Sequence, residues 1–372
     1  MSNVAIIGAG HAGVEAAFTL AKAGVKVTLY SNEAALPYFR PRLIAVAFGQ
    51  SEPAAIAMKP SAAYEEAGIT LAHETVTSFD AAARTVNGCA YDGVIMAQGS
   101  TPFRPPFKGE GAEKVATLWT MADALAIRER AQPGTTLAII GGGVLGLEAA
   151  LRAVMAGMQV TVIEVAPVLL GGCLGAGGEA TLRAALEAKG IALKVGCAVA
   201  EIATDGVLLA DGTKVAAEVI LCSAGARPNT QLAATAGLSV GMGVTVQPDL
   251  SIASKVYAAG DQARLPVGRP VCAVMRAMRM GTLAARNLLA DLQGESGQPW
   301  VEPVLPLFMK VESVEFHTAG ICWEADVVEE RVDDGTNPLI WKSVLKRGDA
   351  IIGLRWVGTR AGFADWEKQL VR

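Results

Sequence analysis

The chain has 372 residues, enough for two or three domains with real hydrophobic cores. Hydrophobic residues make up 52% and charged residues 18%, which excludes a disordered chain, and its 41 glycines follow no G-X-Y period, which excludes collagen. A net charge of −4 and 5% aromatics exclude a chain whose global field or stacking surface draws nucleic acid. In chain order, Val4–Ile7 reads as a buried strand, followed by a glycine loop, an Ala-rich helix, a glycine and a second strand ending at Ser31. Ala90–Gly99 reads as another strand ending in glycine, and Thr101–Gly109, with three prolines, as a linker. Leu137–Glu164 repeats the opening pattern, and the fold continues through Ile191–Val195, hairpin strands around Asp205–Gly212, and Glu218–Gly225. Ser254–Asp261 is a strand running into Gly-Asp, Val271–Leu292 a helix, and Gly294–Pro299 a turn-rich boundary. Trp300–Arg372 shows paired strands, Lys342–Lys346 and Ala350–Val357, around the turn Arg347–Asp349, with helix expected only at the very end. No apolar stretch reaches the ~18 residues of a membrane span. Val4–Ile7 follows Met1–Asn3 at once, leaving no room for a signal peptide, so a cytoplasmic protein is expected.

The internal repeat decides the architecture. Val4–Ser31 aligns without a gap on Leu137–Glu164, at a constant offset of 133 and with 13 of 28 positions identical. Each copy is a strand, a GxGxxG loop and a helix, so two nucleotide-binding folds are expected. In the first loop Gly8 permits the sharp turn, Gly10 lets backbone approach a pyrophosphate, and Gly13 allows close helix–strand packing. Gly141, Gly143 and Gly146 repeat those roles. Glu164 ends the strand after the second loop, where a carboxylate binds ribose hydroxyls and repels a 2′-phosphate, so NADH is expected over NADPH. The first copy carries Ser31 in that place. Glu33 either reaches the ribose instead or is a plain loop residue.

Six cysteines, at 89, 173, 197, 222, 272 and 322, lie at least 24 residues apart, which excludes CxxC zinc ribbons and redox disulfides between sequence neighbours. The histidines, at 11, 73 and 317, are too scattered for a metal site, and none is expected.

With these folds, Ala224-Gly-Ala-Arg-Pro-Asn229 and Val256-Tyr-Ala-Ala-Gly-Asp261, the chain resembles the FAD-dependent pyridine nucleotide–disulfide oxidoreductase superfamily. Tyr38-Phe-Arg-Pro41, Met58-Lys-Pro60 and Phe308-Met-Lys-Val311 make it most similar to the NADH:rubredoxin and flavorubredoxin reductases. The resemblance implies an α/β fold of two Rossmann-like domains plus a small α+β C-terminal domain. FAD would sit on 1–104 and 226–297, NAD(H) on the inserted 105–225, and 298–372 would form the last domain.

Further roles follow from the same resemblance. Gly260 and Asp261 would face the flavin, Gly99 would let backbone pass the FAD, and Gln98 stands where the family often has Thr. Arg227-Pro-Asn229 would close the NAD domain, with Arg227 structural or near the cofactor, and Gly225 just before it would be one of the cofactor-binding glycines. His11, inside the FAD loop, would shield the pyrophosphate. Arg40 and Pro41 match the segment over the flavin's reactive edge. Glu148 matches a glutamate that some relatives pair with a lysine near the flavin; the lysine position is Ala45, so Arg40 or Arg42 would supply the charge, unless both are surface residues. Lys310 matches a lysine near the flavin ring, or is a strand-edge lysine.

The family's disulfide reductases keep a cysteine pair after the first helix; residues 35–60 hold none. Electrons would therefore leave from the flavin itself, from NADH to FAD and then singly to a small acidic carrier such as rubredoxin. Arg264, Arg269, Arg276, Arg279 and Arg286 lie in a stretch without acids, and 276, 279 and 286 at helical spacing form either a docking face or a solvated one. Two other functions stay open: an NADH oxidase or diaphorase using oxygen, and a flavin-bound redox sensor. A C-terminal segment of 73 residues is short for the family's dimer interface, which favours a monomer.

Overall fold

Short aliphatic runs bounded by glycine become the central strands of two parallel sheets. The structure is a computed structural model describing residues 2–265, 273–303, 306–321 and 327–371. The chain divides into two units. One comprises Met1–Arg42, Glu52–Thr101 and Ala226–Pro303; the other comprises Leu43–Ser51, Pro102–Gly225 and Val304–Arg372.

In the first unit Asn3–Ile7 lies between Lys26–Tyr30 and Gly93–Met96, parallel to both. Ile69–Ala72 extends one side of the sheet and Val256–Ala258 the other, with antiparallel Ser251–Ala253 at the edge. Val4, Ile6, Val27, Leu29, Val94 and Ile95 are fully buried, as a sheet covered on both faces requires. The helix His11–Lys22 packs on the helix Val274–Gln293. That crossing is close because Gly281 has no Cβ; one there would run into the Ala12 carbonyl oxygen. The expected helix 271–292 is thus Val274–Gln293, ended by left-handed Gly294, while 271 and 272 lie outside the described residues.

The second unit repeats the arrangement. Thr136–Ile140 lies between Gln159–Glu164 and Val219–Cys222, with Ala192–Val195 and Val115–Ala116 at the edges, all parallel. Leu137 pairs with Val160 here as Val4 pairs with Val27 in the first sheet, so the sequence offset carries into the register. A three-stranded antiparallel sheet (Val199–Ala203, Gly206–Leu209, Lys214–Ala216) covers the hairpin region.

The C-terminal part is a five-stranded antiparallel sheet in the order Leu307–Val311, Val314–Gly320, Ala350–Val357, Trp341–Arg347, Val328–Arg331. The only helix described after it begins is Phe363–Glu367. The helix Gly175–Ala188, absent from the sequence reading, lies against this sheet. Its glycines make room: a Cβ on Gly177 would run into the Trp341 ring. Arg355 donates to the Cys173 carbonyl (2.8 Å) and pairs with Glu329 (2.8 Å). The fold is therefore α/β, two Rossmann-like folds and a small α+β part, as the resemblance implies.

Candidate functional site

The two glycine loops solve one steric problem in the same way. A Cβ on Gly8 would strike the Ala97 carbonyl, and one on Gly141 the Ser223 carbonyl; Gly13 and Gly146 are pressed in turn against the carbonyls of Gly8 and Gly141. Gly10 and Gly143 differ: a Cβ there would meet nothing within 4 Å. Both are N-caps of twelve-residue helices with no side-chain cap and no acid in the first turn. Each loop therefore leaves open space over unsatisfied backbone N–H groups at the positive end of a helix dipole, which suits a phosphate.

Around the first loop the side chains form a connected set. Ser31 and Glu33 close a tight turn on each other, the Glu33 N–H donating to Ser31 Oγ (3.2 Å). The Glu33 carboxylate accepts from the Tyr38 hydroxyl (2.6 Å) and pairs with Arg40 (3.2 Å), whose guanidinium also lies 5.3 Å from the Tyr38 ring centre. Pro41 sits in the single turn Arg40–Arg42, and Arg42 lies over the Phe39 ring. His11, first residue of the helix, packs its ring 5.9 Å from Phe39. Burial, reinforced by Arg40, pushes the His11 pKa down to about 4, so the imidazole is neutral at physiological pH.

The passage at Gln98 and Gly99 is held from two sides. The Gln98 N–H donates to Gln262 Oε1 (2.9 Å), while Asn229 donates its side-chain amide to the Gln98 carbonyl (2.8 Å) and its backbone N–H to the Gly99 carbonyl (2.9 Å). Asp261 accepts from the Ser100 hydroxyl (2.9 Å), and Gly260 turns at φ +80° beside Ala12. Gln262 and Ser100 were missed by sequence reasoning. The only signal was a polar residue beside a Gly-Asp turn and after a strand glycine.

In the second unit Glu164 accepts from the N–H of Gly142 (2.7 Å) and of Ala166 (2.8 Å), tying strand end to glycine loop. Gly225 adopts φ +104° with open space where its Cβ would be. Glu148 pairs with Arg152 one helical turn away (3.1 Å), and Arg152 exchanges hydrogen bonds with Gln50 (2.9 Å each way). Burial pushes the Glu148 carboxyl up against the pull of Arg152. The cation paired with Glu148 is thus Arg152. Lys310 is exposed on its strand and pairs with Glu315 (3.4 Å), which also binds His317 (3.0 Å).

The arginine stripe is corrected by the structure. Arg276 is 4% exposed, paired with Glu302 (2.8 Å) and set against Trp300. Arg279 and Arg286 are exposed and make no ion pair among the described residues; Arg269 lies outside those residues. The four described cysteines are free thiols, and no group of side chains among the described residues is arranged for a metal. Among these residues no helix is long and apolar enough to cross a membrane.

A dinucleotide fits each unit. Two uncapped helix starts face open space. In the first unit two buried nitrogens, His11 Nε2 and Gln262 Nε2, have no hydrogen-bond partner among the described residues.

Residues 2–281 match the pyridine nucleotide-disulphide oxidoreductase family, and the chain belongs to it. It is an oxidoreductase that uses FAD and NAD(H). It is 34% identical to a rubredoxin-NAD(+) reductase of Pseudomonas putida over 296 residues, 75% of this chain and 74% of that one. It is equally 34% identical, over 319 residues (82% and 78%), to the ferredoxin–NAD(+) reductase component of a p-cumate 2,3-dioxygenase system of Pseudomonas putida. Among solved structures it resembles a ferredoxin reductase for the CYP199A2 system from Rhodopseudomonas palustris, with a TM-score of 0.87, 25% identity, and 99% and 94% of the two chains covered.

Proposed function

We propose that this chain oxidises NADH and passes the electrons, by way of FAD, one at a time to a small redox protein of rubredoxin or ferredoxin type. One observation carries the reading: two pyrophosphate loops occur on a chain with no cysteine before Cys89, so the segment after the first helix, where the family's disulfide reductases keep their pair, holds no thiol to relay electrons. The relatives named as rubredoxin and ferredoxin reductases support the choice of acceptor. Bound FAD supplies the step from a two-electron donor to one-electron acceptors.

The remaining work belongs to the protein. FAD is assigned to the first unit, on Gly8, Gly10, His11, Gly13, Glu33, Arg40, Pro41, Gln98, Gly99, Gly260 and Asp261. NADH is assigned to Gly141, Gly143, Gly146, Glu164 and Gly225. Arg40 supplies fixed positive charge beside the first loop, held in place by Glu33. Glu148 and Lys310 are the catalytic proposals of the second unit, the first paired with Arg152 and the second with Glu315.

The acceptor is an acidic carrier, steered by the exposed Arg279 and Arg286. These lie seven residues apart on one face of the helix Val274–Gln293.

Anaerobic stopped-flow of the FAD-loaded protein tests the reading, with NADH added first and a rubredoxin or ferredoxin second. Fast bleaching of the flavin band, then fast reoxidation by the carrier and slow reoxidation by air, is expected. Reoxidation by oxygen alone would make the protein an oxidase or diaphorase. Absence of bleaching would make it a flavin-bound sensor.

A further inference from the structure

We propose that Arg355 is a positioning residue for NADH: from the C-terminal sheet it anchors the turn Leu169–Gly172, and that turn sets the direction of the peptide between Gly142 and Gly143 in the second dinucleotide loop. The chain of contacts is short, and every link lies in the second unit. Leu170 donates its N–H to the Gly142 carbonyl at 3.0 Å. Gly142 also donates its own N–H to Glu164 (2.7 Å), so both of its backbone groups are held. In a trans peptide C=O and N–H point opposite ways, so fixing the Gly142 carbonyl on Leu170 turns the Gly143 N–H away from it. That N–H has no acceptor among the described residues, and Gly143 is the N-cap of a helix without a side-chain cap. It is left for the coenzyme's pyrophosphate. The Leu169 side chain backs the loop, since a Cβ on Gly142 would come within 2.6 Å of it. The Ala9 carbonyl, at the matching place in the first loop, accepts no hydrogen bond among the described residues, so the device belongs to the second loop.

The turn needs an anchor because it is strained. Leu170 stands at φ +54° and ψ +26°, a left-handed conformation that a bulky side chain seldom takes, and Gly171 (φ +60°) and Gly172 (φ +77°) continue it. Such a conformation persists only where its surroundings hold it. Within the turn, Leu169 and Leu170 bury their side chains. Just past its end stands Arg355, itself buried. It donates Nε to the Cys173 carbonyl at 2.8 Å and Nη1 to Glu329 at 2.8 Å. Glu329 in turn accepts from the Ser343 hydroxyl at 2.5 Å. A planar guanidinium serves both partners from fixed positions, which a lysine ammonium on a flexible stem does not. Cys173 follows Gly172 directly, so the guanidinium fixes where the turn ends.

The inference rests on NADH binding at the second loop, and not on which protein takes the electrons. The test is anaerobic stopped-flow reduction of the FAD-loaded protein over a range of NADH concentrations, which separates the NADH dissociation constant from the limiting rate of flavin reduction. FAD affinity is measured alongside. A wild type without saturable NADH binding would overturn the coenzyme reading itself, before any variant is compared. Arg355→Lys keeps a charge for Glu329 and loses the bond to Cys173. It is expected to raise the NADH dissociation constant about fivefold to tenfold, with the limiting rate and FAD affinity within about twofold of wild type. Gly171 tests the turn from its exposed side, where a Cβ would meet nothing within 4 Å. Gly171→Val disfavours the left-handed turn and is expected to raise the constant by a similar factor. Gly171→Asn tolerates that conformation and is expected to recover most of the loss. NADH dissociation constants within twofold of wild type in both Arg355→Lys and Gly171→Val would overturn the proposal. Equal losses in Gly171→Val and Gly171→Asn would do so too, since the added side chain would then obstruct the coenzyme directly. A parallel loss of FAD affinity in Arg355→Lys would likewise overturn it, leaving Arg355 as a general support of the fold.

Discussion

The carboxylate of Glu164 accepts a 2.7 Å hydrogen bond from the backbone N–H of Gly142, the middle glycine of the second dinucleotide loop. The acid at the strand end is therefore a clamp on that glycine loop. Residues 165–178 carry no lysine or arginine, so no cation in that segment offsets its charge. The kcat/KM for NADH should exceed that for NADPH by more than about tenfold, or ~1.4 kcal/mol. Glu164→Gln keeps an acceptor for Gly142 and removes the repulsion, and should bring the two coenzymes to about parity in steady-state assays. A wild-type preference for NADPH would defeat this account of the strand end.

The contrast between Gly10 and Gly13 gives a second expectation. A Cβ on Gly13 runs into the Gly8 carbonyl, whereas one on Gly10 enters open space at ordinary, non-left-handed backbone angles. Gly13→Ala should destabilise the protein by about 1–3 kcal/mol through overpacking. Gly10→Ala should leave the melting of flavin-free protein unchanged and weaken FAD about tenfold or more, because the methyl occupies the phosphate's place. Equal melting losses in both variants would mean that the Gly10 space is not a ligand cradle.

Arginines on one helix should separate into two behaviours. Arg276 is buried against Trp300 and paired with Glu302. Glu302 is half exposed, so the ion pair itself contributes little and packing contributes most. Arg276→Ala should lower stability by about 1–2 kcal/mol whatever the acceptor. Charge reversal at Arg279 and Arg286 should leave melting and NADH kinetics intact while cutting kcat/KM for an acidic carrier about tenfold at low salt. Carrier kinetics that ignore both the reversal and the salt concentration would remove this face from the docking site.

The parts legible in the sequence are those written as local pattern. The repeat at offset 133 fixed both glycine loops and, through Val4–Val27 and Leu137–Val160, the register of both sheets. What stayed illegible depends on partners far away in the chain. Gln98 meets Gln262 across 164 positions, and nothing local marks either as half of a pair. Arg276 matches Arg279 in type and spacing, but Trp300 and Glu302 bury it, and no helical periodicity foresees a partner beyond the helix end. Arg40, matched to the segment over the flavin's reactive edge, is held by Glu33 and Tyr38 only seven and two residues before it; that pairing is local, but it falls in a loop where no strand or helix period marks it.

The Glu148–Arg152 pair carries the clearest pH signature. Burial raises the Glu148 carboxyl above its ordinary value of 4.5, and Arg152 pulls it only part of the way back. The folded state therefore binds this proton more tightly than the unfolded chain does. The contribution to stability is complete below the ordinary value and is lost as pH rises through the higher native value. Glu148→Gln has no such proton to lose, so it should match or exceed wild type in thermal midpoint near pH 7, the difference closing toward about pH 4. Arg152→Leu leaves the half-buried carboxylate without its counter-charge and breaks the bonds to Gln50. It should cost about 1–3 kcal/mol near neutrality and recover part of that in acid. Adding Glu148→Gln to it should restore most of the neutral-pH loss, since the uncompensated charge is then gone. Melting curves of wild type and Glu148→Gln that stay parallel across this range would show that Glu148 titrates as an ordinary surface acid.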